Sequence, residues 1–98
     1  MTNDERFETV LGKKYAATLL IYLLDRKEVM GRVLRDICTN YTTMVQLARE
    51  LERLDLIKIE LISSPFVMHR YHLTERGKRV ADDLKKVEEY INGRPRES

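Results

Sequence analysis

This chain has little sulfur, no tryptophan and few backbone breakers. Cys38 is the sole cysteine among 98 residues. One thiol makes no intramolecular disulfide and no zinc site by itself, which fits an intracellular, cytoplasmic protein. Only four glycines and two prolines are present, and no glycine-rich phosphate loop can be assembled from them. Long apolar runs are missing too. The longest, residues 15–24, is about half of the roughly 20 residues that a membrane helix needs. It lacks a small-residue cleavage site, so neither a membrane span nor a signal peptide is expected.

A block of one charge sign is also absent. The net charge is +2, with 18 basic and 16 acidic residues spread through the chain. Residues 31–73 carry six basic side chains (Arg32, Arg35, Arg49, Arg53, Lys58, Arg70) against five acidic ones (Asp36, Glu50, Glu52, Asp55, Glu60). That balance argues against a strong sequence-independent nucleic-acid binder. Any positive surface must come from folding, which would gather a few side chains on one face.

What is present is hydrophobic periodicity. Thr2 or Asn3 can cap a short helix over residues 6–11, which Gly12 would break. Residues 13–26 then form a helix that is apolar on nearly every side, with Leu20 and Leu24 among its apolar residues. Such a helix is buried on more than one face. Glu28-Val29-Met30 reads as a short strand. Val33, Leu34 and Ile37 point one side of a short helix at the core, and a polar turn, Cys38 to Thr42, follows. Asn40 and Thr42 are candidate caps for the next helix. There Met44, Leu47, Ala48, Leu51 and Leu54 form a single apolar stripe. Asp55 can end that helix in the left-handed conformation that glycine usually supplies.

From Ile57 the period becomes two. Ile57, Ile59 and Leu61 share one strand face, and Lys58 and Glu60 the other. Ser63-Ser64-Pro65-Phe66 supplies a turn. The return strand sets Val67, His69, Tyr71 and Leu73 against Met68, Arg70 and His72. Thr74 caps a last helix that runs to about Asn92, with Gly93 as its stop. In it Val80, Leu84, Val87 and Ile91 are spaced four, three, four, a narrow seam of the coiled-coil kind. A symmetric dimer would bury that seam, with help from Leu20 and Leu24.

The expected fold is mainly α with a small β-hairpin: helix, turn, helix, hairpin, helix, the plan of a winged helix-turn-helix with a long C-terminal dimerisation helix. Residues 1–98 form one domain. Residues 13–73 hold the core and wing, 74–92 the last helix, and 93–98 a disordered tail.

Chemistry that would make an enzyme is missing. No nucleophile elbow, His-Glu metal helix or bracketed carboxylate pair occurs. His69 and His72, three apart on a strand, point to opposite faces and make poor co-ligands. They read as one half-buried and one surface histidine, and Cys38 as a half-buried turn residue, with a redox or thiol sensor that displaces the helix when modified as the alternative. No catalytic residue, metal or cofactor is expected. The sequence names no small-molecule effector.

The residues that suggest function lie on the helix from Tyr41. Its first turn is what reaches base edges in this plan. Gln46 can pair with an adenine edge, and Thr43 and Val45 can pack on a thymine methyl. Tyr41 and Thr42 can hydrogen-bond phosphates. Arg49 can reach a base or a phosphate, and Arg53 lies one turn beyond. On the wing Lys58 and Arg70 face outward. The tip carries Ser63 and Ser64 but no basic residue, so the wing either contacts phosphate alone, from Ser63, Ser64 and Arg70, or serves mainly for structure. The competing reading is a solvated helix face whose arginines pair with Glu50, Glu52 or Asp55.

The run Thr42-Thr43-Met44-Val45-Gln46-Leu47-Ala48-Arg49-Glu50-Leu51-Glu52-Arg53-Leu54-Asp55-Leu56-Ile57, followed by Arg70-Tyr71-His72-Leu73-Thr74-Glu75-Arg76-Gly77, resembles the small winged-helix transcriptional regulators of prokaryotes. The resemblance is especially to archaeal members near the MarR, ArsR and PadR groups. The resemblance covers residues 13–91. It implies sequence-specific binding of double-stranded DNA by a nucleoid-associated homodimer, with repression favoured over activation. Two departures stand out. Asp55 replaces the usual glycine, and the wing tip lacks the usual arginine. The cysteine clusters of metal-sensing members are absent, so metal sensing is not implied. A sequence-tolerant chromatin protein and a protein-interaction winged helix without DNA binding are the alternatives.

Overall fold

The computed structural model describes residues 9–63 and 67–93. The expected N-terminal cap, the first half of the helix over 6–11, the turn residues Ser64, Pro65 and Phe66, and the tail from 94 lie outside the described residues. A 3-10 turn at Val10–Gly12 opens the described chain. Helix α1 spans Ala16–Arg26, later than the expected start at 13. The reason is Tyr15, which adopts φ 70 and turns the chain sharply before the first helical residue. Strand β1 (Glu28–Met30) follows, then a 3-10 helix at Gly31–Asp36. Helix α2 spans Tyr41–Arg53. Strands β2 (Ile57–Ile62) and β3 (Met68–Leu73) form a hairpin, and helix α3 spans Glu75–Ile91.

The fold is mainly helical with one small antiparallel sheet, in the order β1-β3-β2. Val29 faces Tyr71 across one ladder, and Ile57 faces Leu73 across the other. Burial falls steadily along the hairpin. Ile57 is buried, Ile59 is half-buried and Leu61 is 62% exposed. The base of the hairpin is therefore core, and its far end projects from the body as a wing.

One cluster of apolar side chains holds the elements together. Ala16, Leu19, Leu20 and Leu23 of α1 are fully buried, at the i, i+3, i+4, i+7 spacing of one helix face. Met44, Leu47, Ala48 and Leu51 bring α2 to the same cluster, and Leu34, Val29, Tyr71 and Leu73 complete it. Leu54, expected on the α2 stripe, is instead 42% exposed. The helix has already ended there, and Leu54 sits in the cap with φ -91 and ψ 7.

The exit from α2 fixes everything after it. Asp55 takes φ 64. Its N–H donates to the Glu52 carbonyl at 2.9 Å, and the Leu56 N–H donates to the Leu51 carbonyl at 3.0 Å. This bond pair is a Schellman cap with an aspartate where glycine is usual, and the buried Leu51 and Leu56 supply its apolar contact. Thr74 joins this turn to α3. Its hydroxyl donates to the Asp55 carbonyl at 2.7 Å and accepts from the Gly77 N–H at 2.9 Å. Its own N–H donates to the Leu56 carbonyl at 3.1 Å. The start of α3 lies so close to Leu56 that a Cβ on Gly77 would sit 1.9 Å from that carbonyl oxygen. The Leu-Thr-x-x-Gly motif thus has a physical cause: threonine caps the helix and glycine lets two backbones touch.

Candidate nucleic-acid interface

Helix α2 is anchored by its buried stripe and by its cap. Asn40 Oδ1 accepts from the Thr43 N–H at 3.2 Å, so Asn40 rather than Thr42 is the capping residue. With one side buried, the opposite side is fixed. Thr42, Gln46, Arg49 and Arg53, spaced four, three and four, form an exposed row. Thr43 is exposed beside them, and Val45 is half-buried at the flank.

Tyr41 is tied inward. It is half-buried, and its ring carries the Arg35 guanidinium 5.2 Å from its centroid. Its hydroxyl would lie 2.5 Å from a Cβ placed on Gly31, so the glycine makes room for it. Tyr41 and Tyr71, the latter 2% exposed, meet beside Gly31. Burial, followed by the neighbouring Tyr41, pushes the Tyr71 phenol up to about 12. Tyr71 therefore stays protonated, packed where β3 meets the first turn of α2.

The arginines are paired. Arg49 contacts Glu52 at 3.6 Å and Arg53 contacts Glu50 at 3.7 Å. Both pairs are exposed, and such pairs contribute roughly 0–1 kcal/mol. A phosphate can compete for either arginine at small cost. On the outer face of the sheet Arg70 lies between two carboxylates, 3.6 Å from Glu28 and 3.3 Å from Glu60. Its buried Nε has no hydrogen-bond partner, because the Glu28 oxygen is an ion-pair neighbour beyond bonding distance. His72 approaches Glu60 at 3.8 Å, and Lys58 is its exposed cross-strand neighbour. Ser63 is exposed, whereas Ser64 lies outside the described residues.

Two other pairings brace the scaffold. The Tyr22 hydroxyl donates to Asp36 at 3.0 Å, tying α1 to the 3-10 helix. Burial first, and then that bond to Asp36, raises the Tyr22 pKa. Lys85 binds Asp25 at 2.9 Å and ties α3 to α1.

The expected dimer face divides into two parts. Leu20 is fully buried inside its own chain, so it is not available to a partner. A helix that is apolar all round gives no sign of which face its own domain takes. Val80, Leu84 and Leu24 are half-buried against the core, while Val87 and Ile91 are 52% and 68% exposed. Tyr90, 85% exposed, adds apolar surface that the seam spacing did not include.

Cys38 is half-buried and free. Among the described residues no group of His, Cys, Asp and Glu is placed to hold a metal ion. No helix among them is long and apolar enough to cross a membrane.

Several solved structures share this arrangement. A transcriptional regulator homologue from Pyrococcus horikoshii OT3 superposes with a TM-score of 0.73 at 20% identity, over 86% of each chain. The reduced form of the transcriptional regulator YodB from B. subtilis gives 0.69 at 19% identity, over 85% of this chain and 82% of that one. The diamide-treated YodB gives 0.68 at 18% identity, over 90% and 88%. At such identities the likeness establishes the fold. Comparison with curated proteins finds no match. The family model of the HxlR-like helix-turn-helix matches residues 10–97, which take in every element from the first 3-10 turn to the end of α3. The chain therefore belongs to the HxlR-like helix-turn-helix family, a family of DNA-binding transcriptional regulators rather than enzymes.

Proposed function

We propose that this protein binds specific double-stranded DNA sites as a homodimer in the cytoplasm and represses transcription by occupying them. The observation that carries this reading is the exposed row Thr42, Gln46, Arg49 and Arg53 on a helix whose other side is locked into the core. Residues 13–73 are the reading unit and residues 74–92 the pairing helix. Thr43 and Gln46 face base edges from the first turn, and Val45 packs from the flank. Arg49 exchanges Glu52 for DNA. Arg53, Lys58, Ser63, Ser64 and Arg70 act on the backbone. Repression needs nothing beyond occupancy, whereas activation needs a further contact with the transcription machinery.

Replacing Gln46 or Arg49 with alanine is expected to weaken binding to a genome-selected fragment by about 1–3 kcal/mol per lost base contact. Titration of both variants by fluorescence anisotropy tests this, and unchanged affinity in both removes the base-reading assignment. The dimer rests on Val87 and Ile91, which leave apolar surface at the end of α3 uncovered. Changing both to aspartate is expected to give a monomer in sedimentation equilibrium with the thermal melt of the monomer unit intact. A wild-type chain that sediments as a monomer at all concentrations excludes the arrangement. Paired half-sites about 34 Å apart, or a multiple of that, follow from two recognition helices.

The protein-interaction alternative draws its support from the Arg49–Glu52 and Arg53–Glu50 pairs, which lower the charge of this face. The chromatin alternative predicts equal affinity for specific and random DNA across a salt series.

A further inference from the structure

The arginines on the reading helix and wing are engaged by carboxylates, so cations without a carboxylate partner meet DNA at lower cost. Two cations stand out on the short 3-10 helix before α2. Among the described residues neither Arg32 nor Arg35 has an ion-pair partner, and both are exposed. Both lie beside Tyr41. Arg35 stacks over its ring at 5.2 Å. Arg32 lines a hollow with Tyr41, Met68 and His69, between the wing strand β3 and the start of α2. The nearby acids are turned away. Asp36 accepts from Tyr22 on α1, and Glu28 is held by Arg70.

We infer that Arg32 and Arg35 form the main phosphate clamp, seating the DNA backbone in the hollow between the wing and α2. This inference rests on the DNA-binding reading above and moves its electrostatic part off the recognition helix. The chemistry is suited to the task. A guanidinium presents a planar fork of donors that matches a phosphate, and Arg35 is pre-oriented by stacking on Tyr41. Thr42, the first residue of the exposed row, follows directly on Tyr41 of the hollow's lining. A backbone seated there leaves the neighbouring base edges facing Thr43 and Gln46. Arg53 and Arg70, by contrast, must first give up Glu50, Glu28 or Glu60.

The test is a salt series on a short duplex of random sequence, read by fluorescence anisotropy, with the full chain. Each of Arg32→Ala and Arg35→Ala is expected to lower the slope of log affinity against log salt by about 0.9, and the double variant by about twice that. The affinity loss is expected to be the same factor on a genome-selected fragment as on random DNA. Arg32→Lys and Arg35→Lys keep the charge and are expected to keep most of the slope, which separates lost contact from lost folding. Arg53→Ala is expected to lower the slope by less than either clamp variant, because Arg53 must first leave Glu50. A double alanine variant with the parent slope overturns the clamp, and a Gln46→Ala loss in the same experiments leaves the DNA-binding reading standing. A parent protein that binds neither duplex at low salt overturns both.

Discussion

Gly77→Ala tests whether the contact between Leu56 and α3 holds the fold together. A Cβ at this position falls 1.9 Å from the Leu56 carbonyl oxygen and 2.9 Å from its carbonyl carbon. Both neighbours are backbone, so no side chain can rotate away. Ordinary contact lies near 3.5 Å, and the start of α3 must therefore retreat by more than about 1 Å. That retreat stretches the Thr74 N–H to Leu56 bond, now 3.1 Å, and the Thr74 hydroxyl to Asp55 bond, now 2.7 Å. Two weakened hydrogen bonds cost about 1 kcal/mol each. Overpacking adds about 1–3 kcal/mol. The better helix propensity of alanine returns about 1 kcal/mol. The net loss is about 2–4 kcal/mol, a drop of roughly 10–30 °C in melting temperature for a domain of this size. Thermal and urea unfolding followed by circular dichroism measure it. Gly12→Ala is the control, because its Cβ would meet nothing nearer than the Thr9 hydroxyl at 3.8 Å. If Gly77→Ala melts with the parent, the close approach is not what orients α3.

Asp55→Gly is expected to stabilise the protein by about 1 kcal/mol, because φ 64 is strained for aspartate and free for glycine. A higher urea midpoint with unchanged slope is the readout, and a lower midpoint contradicts the cap. Tyr71 makes stability fall in alkali. Its folded pKa, about 12, exceeds the ordinary 10.0, so below pH 10 the phenol is protonated in both states and its contribution is complete. As pH rises from 10 toward 12 the unfolded chain ionises first, and up to about 2–3 kcal/mol is lost. Tyr71→Phe is expected to lose less stability than the parent across that window, in urea titrations on either side of pH 10.

The elements that could be read from the sequence were those whose pattern has one solution. The α2 stripe of Met44, Leu47, Ala48 and Leu51 admits one buried face, so its exposed row is legible from the sequence. The Thr74 cap, the β1 strand and the left-handed Asp55 were also legible, because each is a local choice of residue for backbone conformation. What failed was decided by packing. Lys13-Lys14-Tyr15 reads as helix, but Tyr15 turns left-handed and delays α1. Leu20 sits on a helix that is apolar all round, and its pattern cannot separate core from interface. The seam in α3 reads as one surface, yet its first half leans on α1 and only its second half is open. Of the site, the i, i+3 pairs Arg49–Glu52 and Arg53–Glu50 follow from helix spacing. The clasp of Arg70 by Glu28 and Glu60 needs the register of three strands, which no local pattern supplies.

The pairing of charges bears on how a nearly neutral chain could discriminate among DNA sequences. Glu50 and Glu52 lie on the same helix as Gln46 and Arg49, and on the proposed reading α2 would carry both toward the phosphates as it enters a groove. On a wrong sequence the arginines keep their carboxylate partners, and the two acids repel the backbone. On the right sequence a base contact of about 1–3 kcal/mol offsets the exposed ion pair it replaces, which is worth roughly 0–1 kcal/mol. Discrimination then comes partly from repulsion of wrong sites rather than from attraction to the right one. The same carboxylates weaken every single-helix encounter. A binder of this kind gains affinity by engaging two half-sites at once, since the second contact is made at high effective concentration. On the proposed reading, pairing through the open end of α3 would compensate for the weakness that gives the exposed row of α2 its selectivity.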